Sequence, residues 1–125
     1  IDMAVMVHTS SPEQAEGPFG LAASFNGFLA KRIRFLGRAA HAGGAPERGI
    51  NALNAATLAL DAIHAQRETF RDQDCVRVHP IITRGGDLVN VVPADVRLET
   101  YVRARTWEAI ADAAGKVDRS VRGAA

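Results

Sequence analysis

The chain has 125 residues and a mass of 13.3 kDa, the size of one domain. Fifteen basic against fourteen acidic residues leave a net charge of +1, which excludes a strongly basic nucleic-acid binder and an acidic tail protein. A hydrophobic share of 47% argues against disorder, no apolar run is long enough to span a membrane, and a single cysteine, Cys75, excludes an internal disulfide or a cysteine-based zinc cluster. A cytoplasmic setting is the expectation for such a chain.

Ile1 to His8 is a short apolar run that reads as a strand. Thr9 to Gly20 is rich in Ser, Pro and Gly and reads as a hinge. Extended chain follows from Leu21 to Leu36, where Arg32, Ile33, Arg34 and Phe35 alternate polar with apolar and Gly37 ends the run. A Gly- and Pro-containing loop carries His41. Ile50, Leu53, Thr57, Leu60 and Ile63 then recur at three- and four-residue steps, the stripe of an amphipathic helix running to about Thr69. Cys75 to Thr83 is β-rich but holds Pro80, so it reads as an edge strand. Gly85-Gly86-Asp87 is the expected hairpin turn.

The next strand alternates most clearly. Val96, Leu98, Thr100 and Val102 share one face, and Arg97, Glu99, Tyr101 and Arg103 the other. Thr106 is a good helix N-cap, and Ile110, Ala114, Val117 and Val121 make the stripe of a last helix. The order from residue 21 is β-α-β-β-α. This predicts an α+β, ferredoxin-like two-layer sandwich lacking its final strand, with residues 1–20 as a remnant of a preceding domain and a hinge. The chain starts at Ile1 and stops within a helix, so it reads as part of a longer protein.

No phosphate-binding glycine loop, metalloprotease helix motif or nucleophile elbow is present in the sequence. His64 and His79 read as ordinary helix and strand residues. Three segments stand out: Gly37-Arg38-Ala39-Ala40-His41-Ala42, where small neighbours leave an imidazole approachable; Gly85 to Pro93, where Asn90 sits among valines; and Tyr101-Val102-Arg103-Ala104, where a guanidinium on an open face can clamp a carboxylate.

In order, with Pro46 to Leu53 and Ile82 to Pro93, these segments resemble the dimerisation (lid) domain of the zinc-dependent amidohydrolase and metallopeptidase family of aminoacylase, carboxypeptidase G and p-aminobenzoyl-glutamate hydrolase. The likeness covers residues 21–125, and residues 2–8 resemble the end of the catalytic domain. It implies a homodimer and a small N-acyl amino acid or dipeptide-like substrate, without nucleic acid or membrane. It also implies two divalent metal ions, zinc as the expected species, in the whole enzyme and none fully bound here. By the same likeness His8 would ligate a metal. His41 would reach into the partner subunit's active site and stabilise the oxyanion. Asn90 would hydrogen-bond substrate and Arg103 would hold its carboxylate. A free-standing amino-acid-binding or dimerisation module without catalysis is the alternative. The missing strand should bare one sheet edge, on which residues 3–7 are expected to pair.

Overall fold

The computed structural model describes Met3 and residues 25–125. The hinge, His8 and the expected pairing of residues 3–7 therefore lie outside the described residues, apart from Met3 itself, which is exposed.

Strands β1 (Gly27–Leu36), β2 (Arg77–Val78), β3 (Ile81–Arg84) and β4 (Asp95–Ala104) form one antiparallel sheet. Helices α1 (Ala52–Ala65) and α2 (Trp107–Ala124) complete the two-layer α+β sandwich. β4 lies at the centre. It pairs with β1 along ten residues and with β2 and β3 on its other side. The order β1-β4-β2 is that of a ferredoxin-like unit without its last strand, so β1 has no second neighbour among the described residues.

The alternation on β4 is complete: Val96, Leu98, Thr100, Val102 and Ala104 are buried, and Arg97, Glu99, Tyr101 and Arg103 are exposed. Period-two patterning thus puts one face in the core and leaves the other in water. β1 follows the same rule with one departure. Lys31 points inward and meets Asp118 of α2 at 2.6 Å. An inward charge on an edge strand discourages edge-to-edge pairing with other chains.

Two buried clusters make the core. Ile63, Val76, Val78, Val102, Ile110 and Val117 fill one, and Phe35, Ala52, Ala56, Ala59, Val96 and Leu98 fill the other. The buried line of α1 is Ala52, Ala56, Ala59 and Ile63, whereas the sequence pattern pointed to Ile50, Leu53, Thr57, Leu60 and Ile63. Ile50 precedes the helix and is 56% exposed. Alanines against the sheet let the helix axis come close, and the larger Leu53 and Leu60 fill the flanks. Each helix starts on a side-chain cap. Asn51 accepts from the Leu53 and Asn54 amides at 2.8 and 3.2 Å, and Thr106 accepts from the Ala109 amide at 3.2 Å.

Three local expectations need correction. The Cys75–Thr83 edge strand is broken into β2 and β3 at His79 and Pro80, because proline has no N–H to give the ladder. His79 accordingly sits in the break and not within a strand. α1 ends at Ala65 and continues to Thr69 only as a 3₁₀ turn. Gly85-Gly86-Asp87 does not close a tight hairpin. Residues 85–94 form a ten-residue excursion between β3 and β4, entered through Gly86 at a φ of 142°.

Leu98 is 1% exposed and faces the alanine line of α1. Leu98→Ala should cost about 2–5 kcal/mol, measured by denaturant unfolding. A loss under about 1 kcal/mol would show that α1 can collapse into the space.

Candidate functional site

His41 and Asn90 are brought together by a continuation of the β1–β4 ladder past its formal end. The Gly37 amide donates to Ala94 O at 2.8 Å, the Val92 amide to Ala40 O at 2.9 Å and the Ala42 amide to Asn90 O at 2.9 Å. Three residues on one side match two on the other between the first pair and the second, so the chain is bulged there. His41 consequently lies opposite Val91 as an isolated bridge, one residue from Asn90.

A second support holds this loop to the start of α1. Arg38 and Ile50 exchange two amide–carbonyl bonds of 2.9 Å each, and the Ala52 amide donates to Pro93 O at 2.9 Å. Gly37 makes the approach possible. A Cβ there would sit 2.0 Å from the Ile50 carbonyl oxygen, a distance no packing tolerates.

The His41 ring is held by its own loop. Its Nδ1 accepts from the Gly44 amide at 2.8 Å and the Gly43 amide at 3.2 Å. Both donors are backbone N–H groups, so Nδ1 must offer a lone pair. In the neutral ring the proton then resides on Nε2, which is a donor. A Cβ on Gly44 would lie 3.3 Å from Nδ1, so the ring also rests on the bare glycine backbone. His41 and Asn90 are both exposed, and the neighbouring tip residues Leu88 and Val89 project into solvent.

The 85–94 excursion is anchored by charge. Arg84 of β3 grips both oxygens of Asp87 at 2.9 Å and donates to Asp95 at 3.0 Å, tying the excursion's beginning to its end. Asp95 also accepts from Arg34 at 2.6 Å and from Arg97 at 3.1 Å. The hydrogen bonds from Arg34 and then Arg97 hold its carboxyl down at about 2, despite partial desolvation. This anchor was not among the residues singled out from the sequence. The only signal for it there is the crowd of arginines on alternating positions of two strands.

Arg103 lies elsewhere. It is at the far end of β4, opposite Arg77 of β2 and Phe28 of β1. Its guanidinium carbon stands 5.3 Å from the centre of the Tyr101 ring, which itself packs on Phe28 at 4.9 Å. Eight residue steps separate Asp95 from Arg103, about 26 Å of strand. The structure thus joins His41 with Asn90 and keeps Arg103 away from both. Among the described residues no group of three His, Cys, Asp or Glu side chains could hold a metal ion, and His8 is outside them.

Residues 23–122 match the family described as the peptidase dimerisation domain. The mouse Xaa-Arg dipeptidase is 33% identical over 93 residues, which are 74% of this chain and 21% of that protein. The crystal structure of an aminobenzoyl-glutamate utilization protein from Klebsiella pneumoniae superposes with a TM-score of 0.70 at 31% identity, over 80% of this chain and 25% of that one. An aminopeptidase from Bacillus cereus shares the fold, with a TM-score of 0.62 at 23% identity over 80% of this chain and 26% of that one. The chain therefore spans about a fifth to a quarter of the relatives it matches.

The Asp95 anchor gives a pH prediction. Its folded value is lowered from 3.8 to about 2, so its contribution to stability is complete above about pH 4 and disappears as pH falls toward 2. Asp95→Asn should melt lower than wild type at pH 7 and lose less on acidification through that window. Parallel melting curves for the two proteins between pH 4 and pH 2 would contradict the assignment.

Proposed function

Since the chain belongs to the peptidase dimerisation domain family, we propose that it is the lid of a metal-dependent amidohydrolase that cleaves the amide bond of an N-acyl amino acid or dipeptide-like substrate. The carrying observation is the pair of loop amides that donate to His41 Nδ1, which in the neutral ring leaves Nε2 of this exposed residue as the donor. A donor already aimed and already protonated needs no rearrangement as a carbonyl oxygen gains negative charge, which is the requirement for an oxyanion group. Asn90, held beside it by the Ala42–Asn90 backbone bond, offers an amide that hydrogen-bonds the same substrate. Arg103 offers a planar fork for the substrate carboxylate, kept in place by Tyr101.

These roles divide between two active sites. The carboxylate of an N-acyl amino acid lies within about 4 Å of the scissile carbonyl carbon. The two ends of β4 are about 26 Å apart, and no side chain closes that gap. In a homodimer His41 and Asn90 would serve the partner's site while Arg103 serves the other. Exposed Ile82, on β3 at the broken β2–β3 edge, is suited to contact with a second lid.

Two divalent ions, zinc as the expected species, would supply the attacking hydroxide. The described residues do not form a site for them. A cytoplasmic homodimer is the setting proposed. The name of the Klebsiella relative puts an aminobenzoyl-glutamate among the first substrates to try.

The chain by itself should give only background hydrolysis of N-acyl amino acids with zinc added. In the enzyme carrying this lid, His41→Ala should lower kcat by roughly 10²–10³, with the melting temperature little changed. Chelator-sensitive turnover by the chain alone would overturn the reading. So would a His41→Ala loss matched by an equal loss of stability.

A further inference from the structure

Arginines face one another across β4 at both ends. Arg97 stands opposite Arg34 of β1 and Arg84 of β3, and Arg103 stands opposite Arg77 of β2. Like charges directly opposite in a sheet repel, so each grouping needs a counterion. The first has its own. Asp95 accepts from all three arginines, and Asp87 takes the rest of Arg84.

The second grouping has none among the described residues. No carboxylate forms an ion pair with Arg77, with Arg103 or with nearby Arg67. Glu99, the one acid on the same cleft, lies 3.7 Å from Arg32. Arg77 and Arg67 each give one N–H to a backbone carbonyl, Val76 O and Val78 O, at 2.9 Å; Arg77 keeps its other guanidinium donors, and Arg67 spends one more on His64. His64 accepts from Arg67 through Nδ1 at 3.2 Å, which leaves its Nε2 as another donor toward the cleft it lines. The cleft measures about 760 Å³, ample for an N-acyl amino acid.

We propose that Arg77 is a second carboxylate-binding residue, and that the cleft takes an N-acyl amino acid with an acidic side chain. Arg103 holds one carboxylate and Arg77 the other. The ligand then supplies the counterion that Asp95 supplies at the opposite end. This rests on the reading of Arg103 given above and adds the side-chain class. A basic side chain would enter a cleft where three arginines outnumber one glutamate, and is selected against.

The test is an NMR titration of this chain with N-benzoyl-L-glutamate, N-benzoyl-L-glutamine and N-benzoyl-L-arginine, following the Nε–H signals of Arg77 and Arg103. Glutamate should bind more tightly than glutamine by roughly three- to tenfold, the scale of one charge-assisted contact. Arginine should bind most weakly. In Arg77→Gln the glutamate-to-glutamine ratio should fall toward one. The same variant should melt no lower than wild type, since a repulsive pair is gone, whereas Arg97→Gln should melt lower. Arg103 signals that move equally for all three probes, or a ratio unchanged by Arg77→Gln, would overturn the role of Arg77 and leave that of Arg103 standing. Arg103 signals that no probe moves would overturn both.

Discussion

Every part of this domain depends on the pairing of one strand. β4 carries the ten-residue ladder to β1 on one side and both short strands on the other, and its buried face is the floor on which both helices pack. Remove it and the remaining strands share no hydrogen bond. The consequences reach beyond stability. The ladder runs on past its formal end into the loops of His41 and Asn90, so backbone pairing fixes where those side chains stand. Groups placed by a rigid ladder are held more tightly than groups on a free loop.

The exposed face of the same strand shows how charge is used in two ways. At the His41 end, three arginines close on Asp95, and the result is a tied loop that keeps its shape. At the other end, Arg77 and Arg103 have no carboxylate partner among the described residues. A protein maximising stability would neutralise both clusters. Unbalanced charge at one end is a cost to folding that a bound anion removes, and such costs collect at functional sites.

Much of the fold was legible in the sequence because it rests on period. β4 alternates without a break, and α2 is capped by Thr106 and buries Ile110, Ala114 and Val117 as its stripe implies. The misreadings have local physical causes. Counting large apolar residues misplaced the buried side of α1, because the sheet accepts alanines there and leaves Ile50 outside. Pro80 signalled an edge, but its missing N–H goes further and splits the strand. Gly85-Gly86-Asp87 suggested a hairpin turn, while the Arg84 links to Asp87 and Asp95 hold open a longer excursion. Of the site, His41, Asn90 and Arg103 were named from motifs. Their grouping could not be read that way, since it depends on which end of β4 each one reaches. The roles of Arg77 and Asp95 depend on register across strands, which no single segment encodes.

The division of His41 and Arg103 between two active sites is tested most directly by complementation in the enzyme that carries this lid. His41→Ala and Arg103→Gln proteins are each prepared, dissociated, mixed in equal amounts and allowed to reassociate. If each active site takes Arg103 from one subunit and His41 from the other, a mixed dimer holds one intact site and one doubly damaged site. Random pairing makes half the dimers mixed, so activity should recover to about a quarter of wild type. If one subunit supplies both groups to one site, every site in the mixture is damaged. Activity that stays at the level of the separate variants would contradict the division.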